Sequence, residues 1–275
     1  MNLTAGIPDK IIGLIDGPVL MNHPDLATEN MREISGSLPA ACEGTDKLAC
    51  MHGSFVAGIL HGRRGSVLPA ICPGCTLLVR PVFADTISDG DRMPGASPAA
   101  LAAAMIECID MGANVINLSI GLERPSSRDE QVINQALEYA SRRQVIVVAA
   151  AGNQGMSGGS KLAQHAWVIP VAASDSAGRP AAYSSLGRSI GMRGLSAPGE
   201  GIACIDAARS RGFLGGTSAA VPFVTGTVML LWSAFPNASA TELKVAMMQA
   251  QTRRRPTIVP PLLDAWAAYQ FLAKQ

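Results

Sequence analysis

Charge is scarce in this sequence, and neither sign of it prevails. Asp, Glu, Lys and Arg make up 16% of the 275 residues and sum to a net +1. That balance gives no electrostatic reason to expect nucleic acid or an anionic membrane as a partner. The only basic run, Arg253 to Arg255, stands before Pro256 and reads as a solvated loop. No stretch reaches the roughly 18 uninterrupted apolar residues of a membrane span. The opening MNLTAGIPDK also lacks the apolar segment of a signal peptide. These absences lead us to expect a cytoplasmic chain without a membrane partner. A dinucleotide fingerprint is missing too. The first strand-like run, Ile11 to Ile15, ends in Asp16-Gly17-Pro18 and not in G-x-G-x-x-G, so nothing there would cradle a pyrophosphate. No cofactor is expected.

Six cysteines stand at 42, 50, 72, 75, 108 and 204. Cys72-Pro-Gly-Cys75 together with Cys42 and Cys50 matches a zinc site poorly, because the first pair is wide and irregular. Free thiols and local disulfides remain open for these four, and no metal is expected. Cys108 and Cys204 read as small buried hydrophobes.

What the chain has in quantity is apolar residues, at 48%, together with 28 glycines and alanine-rich runs. This is the composition of helices packed tightly on a sheet. The length allows one large domain or two small ones, and no linker marks a seam, so residues 1–275 read as a single domain. Strand-like runs at 11–15, 76–83, 114–120, 145–149 and 167–172 alternate with helical patterns at 52–61, 97–111 and 129–142. Further helices are predicted at 219–235, 240–250 and 263–272. Ser97-Pro98 is a cap followed by a first-position proline. The alternation predicts an α/β fold of three layers, with a mostly parallel central sheet and helices on both faces. Ligands in such folds bind at the carboxyl ends of the strands.

Three stretches place polar residues where predicted elements begin or end. They are LIDGPVLMNHPDL around Asp16, MHGSFVAGIL around His52 and GGTSAAVPF around Ser218. Each has an ordinary reading as well. Asp16 suits a turn, His52 a polar helix position, and Ser218 the cap of a core helix whose first turn tolerates Pro222. His23 and His61 read as surface or loop residues. Together, however, the three supply what acyl transfer needs. A serine hydroxyl becomes a nucleophile when a histidine takes its proton, and a carboxylate fixes that histidine's tautomer. The order Asp, His, Ser is that of subtilisin.

The sequence resembles the subtilisin-like serine proteases, or subtilases, from Ile11 to about Leu231. The motif G-T-S-x-x-x-P around Ser218 carries most of the likeness. VINLSIG (115–121), VVAAAGNQG (147–155) and SAPGEGI (196–202) follow in family order. The resemblance implies a subtilisin-like fold and a serine endopeptidase acting on a peptide or protein. Ser218 would be the nucleophile, His52 the base, Asp16 its orienting partner and Asn153 an oxyanion donor. Substrate would pair with the 117–121 segment. Leu118, Ser119, Ile120 and Gly121 would form one wall of a pocket and Ala150, Ala151 and Gly152 the other, with Lys161 near its base. Arginines in the 62–68 loop leave a calcium site there poorly supplied with oxygen ligands. Asp16-Gly17-Pro18 further resembles the proteases that mature cyanobactin-type precursor peptides. Macrocyclising members of that group carry a helical insertion near the histidine, and none is visible here. Two alternatives to hydrolysis are a peptide-binding scaffold of the same fold and a macrocyclase (transpeptidase).

Overall fold

The computed structural model describes residues 3–34, 36, 38–42, 47–66, 70–83, 96–120, 127–155, 161–203, 213–249 and 257–275. Short apolar runs form buried strands, as a parallel sheet covered on both faces requires, except at the edge strand Met31–Glu33, where Arg32 and Glu33 are exposed. In chain order they are β1 (Ile11–Asp16), β2 (Met31–Glu33), β3 (Thr76–Pro81), β4 (Val115–Leu118), β5 (Ile146–Ala150), β6 (Val168–Ser174) and β7 (Leu195–Pro198). They pair in the order β2-β3-β1-β4-β5-β6-β7, every pair parallel. A small antiparallel ribbon joins β8 (Ile202–Ala203) to β9 (Phe213–Leu214).

The helices are α1 (Leu48–His61), α2 (Pro98–Asp110), α3 (Ser127–Arg142), α4 (Lys161–Gln164), α5 (Arg188–Arg193), α6 (Thr217–Ala234), α7 (Ala240–Gln249) and α8 (Ala265–Leu272). Alternation along the strands sorts the core into two layers. Ile15, Leu78, Ile116 and Val147 meet α2 and α3 on one face. Ile12, Leu14, Val79, Val115 and Val148 meet α1 and α6 on the other. The predicted three-layer architecture is the one observed. Between neighbouring strands β1 and β4 the direction of winding reverses, and a crevice opens at such a point beyond the carboxyl ends. Asp16 and Ser119 stand at those two ends.

Several expectations are corrected. α1 begins at Leu48 rather than 52, which moves His52 into its second turn. α6 begins at Thr217, so Pro222 lies inside the helix and not at its start. α6 is long and apolar enough to cross a membrane, yet 72% of it is buried, and it serves as the core helix of one layer. His61 is fully buried, its Nε2 bonded to the Cys75 carbonyl at 2.7 Å, and is no surface residue. A Cys42–Cys50 disulfide takes two of the four thiols considered for zinc. Cys72 and Cys75 are buried and free. Cys108 is buried as predicted, and burial pushes its thiol up to about 12. Cys204 and the Arg253–Arg255 run lie outside the described residues.

Candidate active site

Asp16 follows Ile12 and Leu14 on the same side of β1, so it points under α1, where it is fully buried. The helix comes unusually close at this point. A Cβ on Gly17 would lie 2.0 Å from the Ala49 carbonyl oxygen, and one on Gly53 would lie 2.5 Å from the carbonyl oxygens of Gly17 and Pro18. Only two missing side chains permit that contact. It brings His52 Nδ1 to 2.6 Å from Asp16 Oδ1, which also accepts the Gly17 N–H at 2.7 Å. A carboxylate can only accept, so Nδ1 carries the proton and Nε2 is left free to take another. Burial lowers the pKa of His52, but the Asp16 charge and its hydrogen bond outweigh it and hold the imidazole above its ordinary value of 6.5.

Ser218 is the second residue of α6 and is partly open to solvent. Ahead of it, Gly216 adopts φ +113°, a backbone state that side chains disfavour. A Cβ at Gly216 would sit 3.0 Å from Asn153 Nδ2 and 3.4 Å from Ser218 Oγ. The glycine therefore leaves a hollow bordered by the amide and the hydroxyl. Asn153 is held in one orientation, because its Oδ1 accepts from the Thr217 N–H at 2.8 Å and the Thr217 hydroxyl at 2.9 Å. That turns its NH₂ toward the hollow. Tyr183 steadies the same loop. Its hydroxyl donates to the Gly199 carbonyl at 2.8 Å and accepts the Gly216 N–H at 3.1 Å. Sequence reading passed over Thr217 and Tyr183 as functional residues, since both act by orienting neighbours. The spacing of Thr217, one residue before the serine, was the only available signal.

The structure therefore holds a buried Asp–His pair at α1 and, at the start of α6, a hydroxyl beside an amide, where the helix dipole favours negative charge. Residues 9–262 match the profile described as the Subtilase family. The chain belongs to the subtilase family of serine proteases.

Among curated subtilases, Mycosin-3 of Mycobacterium tuberculosis is 31% identical over 256 residues, covering 73% of this chain and 55% of the relative. A thermostable alkaline protease of Halalkalibacterium halodurans is 28% identical, covering 85% of this chain and 60% of that protein. The chain thus spans little more than half the length of these relatives. Among solved structures, a mutant of the protease domain of PatA superposes with a TM-score of 0.88 at 25% identity, covering 100% and 98% of the two chains. The prenylagaramide maturation protease PagA gives 0.83 at 27% identity, covering 98% and 96%. The PatG macrocyclase, at 21% identity and a TM-score of 0.84, shares the fold.

The expected substrate segment of this subtilase divides at the end of β4. From Val115 to Leu118 the strand is paired on both edges, to β1 and β5, which leaves Asn117 and Leu118 no free backbone for an added strand. Ser119 and Ile120 lie beyond the ladder, and Gly121 is outside the described residues. The side chains of Leu118 and Ile120 turn to the α2–α3 layer. Ala150 and Ala151 are buried. Gly152 adopts φ +111°, and a Cβ there would meet Gln154 Oε1 at 2.8 Å. A side chain at 152 would strain the backbone instead of simply narrowing a pocket. Lys161 Nζ lies 3.4 Å from Glu130, which answers its charge. In the 62–68 loop Arg63 reaches Glu29 and Arg64 the Thr4 carbonyl. Among the described residues no group of three or more His, Cys, Asp or Glu could hold a metal ion.

Proposed function

We propose that this chain is a serine endopeptidase in which Asp16, His52 and Ser218 form the catalytic triad and Asn153 completes the oxyanion hole. The observation that carries this reading is the 2.6 Å bond from His52 Nδ1 to a fully buried Asp16, which leaves Nε2 available as base. Ser218 Oγ attacks the scissile carbonyl as its proton passes to His52 Nε2, and Asp16 stabilises the imidazolium that forms. The oxyanion sits in the hollow at Gly216, where the Asn153 amide and the Ser218 N–H donate to it. His52 then protonates the leaving amine. Water takes the same path to release the acyl group.

The likeness to PagA and to the PatA protease domain supports a ribosomally made precursor peptide as the substrate, with removal of its leader. Between α1 and β3 the described residues hold no helix. This favours hydrolysis over macrocyclisation. A fluorophosphonate tests the assignment directly, since folded wild type should label and Ser218→Ala and His52→Ala should not. Labelling of Ser218→Ala at the wild-type rate would sink the assignment. A proteome-derived peptide library digested by wild type, with Ser218→Ala as control, then reads the cleavage preference. A cytoplasmic setting, which we propose, would keep Cys42 and Cys50 reduced. The disulfide is a reason to run both assays with and without reductant.

A further inference from the structure

We propose that Ser119, Asn117 and Thr225 form a directional hydrogen-bond relay that positions Ser218 by replacing the helical bond that Pro222 removes. The proposal rests on Ser218 being the nucleophile. In an α-helix each carbonyl accepts from the N–H four residues on. For Ser218 that residue is Pro222, which has no N–H. A carbonyl deprived of its donor inside a buried helix requires another partner. Ser119 Oγ supplies it, donating to the Ser218 carbonyl oxygen at 3.1 Å.

The rest of the network follows from counting protons. A hydroxyl has one to give, so Ser119, having spent it on Ser218, is free to accept, and Asn117 Nδ2 donates to it at 2.9 Å. This turns Asn117 Oδ1 the other way. There the Thr225 hydroxyl donates to it at 2.9 Å. Asn117 and Thr225 are fully buried and Ser119 is 4% exposed, so water does not compete along the path. Thr225 stands seven residues, about two turns, after Ser218 on the same face of α6. Asn117 and Ser119 share one face of the β4 segment, two residues apart. The relay therefore clamps α6 to β4 at two points. A roll or slide of α6 would break it, and would also carry the Ser218 hydroxyl and N–H away from His52 and the oxyanion hollow.

The experiment measures the second-order rate constant for labelling by a fluorophosphonate, whose phosphorus is attacked by Ser218 Oγ with loss of fluoride. The melting temperature is recorded alongside. Ser119→Ala should slow labelling about tenfold or more, the scale on which small misplacements of a reacting group act. Adding Pro222→Ala to the same chain returns an N–H to position 222 and should bring the rate to within about threefold of Pro222→Ala alone, as expected for two residues serving one acceptor. Thr225→Val should slow labelling while Thr225→Ser keeps it, because only the hydroxyl is in the relay. Failure of wild type to label would overturn the protease reading itself. Wild type that labels while Ser119→Ala matches it, or a double variant that stays slow, overturns the relay. Should Ser119→Ala not fold, the Thr225 pair decides. Equal labelling by Val and Ser, with only the melting temperature changed, would show a purely structural role and overturn the proposal.

Discussion

At the scale of single residues, the proposed chemistry depends on where two protons sit. His52 must be neutral to accept from Ser218, and its pKa is held above the ordinary 6.5 by Asp16. Activity should therefore rise with pH through a midpoint above 6.5, and a kcat/KM profile with its midpoint at or below that value would contradict the pairing. Asn153→Ala should lower kcat about 10²–10³-fold, a magnitude transferred from the corresponding donor in subtilisin. Thr217→Val tests the orientation of that amide. It removes one of the two donors to Asn153 Oδ1, so a fall in kcat of about tenfold with KM unchanged is expected. A change confined to KM would place Thr217 in substrate binding instead. The pairing of Asp16 with His52 and the nearness of Asn153 to Ser218 agree with the sequence expectation, because the proposed reacting groups must be particular residue types at particular places. Tyr183 was not, since a tyrosine hydroxyl that holds a loop leaves no motif.

At the scale of elements, the active site depends on how closely α1 lies on the turn after β1. Alanine is the better helix former, and in an open helix Gly53→Ala would stabilise by about 1 kcal/mol. Here the added methyl would sit 2.5 Å from two backbone oxygens. Gly53→Ala should instead lower the melting temperature and slow fluorophosphonate labelling as His52 is lifted from Asp16. A stabilised variant with unchanged labelling would show that the contact is looser than drawn. The same element shows where sequence reading stopped short. The first turn of α1, Leu48 to Met51, follows Lys47, whose side chain makes no cap bond, and nothing announced the start. At α2 the start was visible, because Ser97 caps it through a bond from the Ala100 N–H at 3.1 Å. β7 and α5 went unseen because LSAP and RSIGMR are too short to show a period. Pro222 was legible as unusual, but its place inside α6 was not. The partner that makes it tolerable, Ser119, is distant in sequence.

At the scale of the whole molecule, the three-layer architecture and its parallel sheet followed from alternation of strand and helix, while the order of the strands and the burial of individual polar groups did not. His61 is the clearest case. Burial pushes its pKa down to about 4, so the folded state keeps it neutral while the unfolded chain takes up a proton near 6.5. Its contribution is fully present above 6.5 and is lost as pH falls toward 4, at about 1.4 kcal/mol per pH unit and roughly 3 kcal/mol in all. His52 works in a different window. Raised in the fold, it contributes fully below 6.5 and loses its share as pH climbs through its folded value. Urea unfolding at pH 7 and pH 5 should therefore show wild type losing about 2 kcal/mol more than His61→Gln, which replaces the imidazole with an amide that does not titrate. Equal losses would mean that His61 is not sealed from water.

α6 both bears the proposed nucleophile and closes the core over the sheet, and it follows all seven strands of that sheet in the chain. Asp16 and His52 leave the ribosome long before Ser218 does. A chain interrupted anywhere ahead of Thr217 has neither the attacking hydroxyl nor the helix that shuts the fold, so an unfinished protease is also an inert one. Translation order thus delivers the proposed nucleophile together with the helix that closes the core, with only α7 and α8 still to join it.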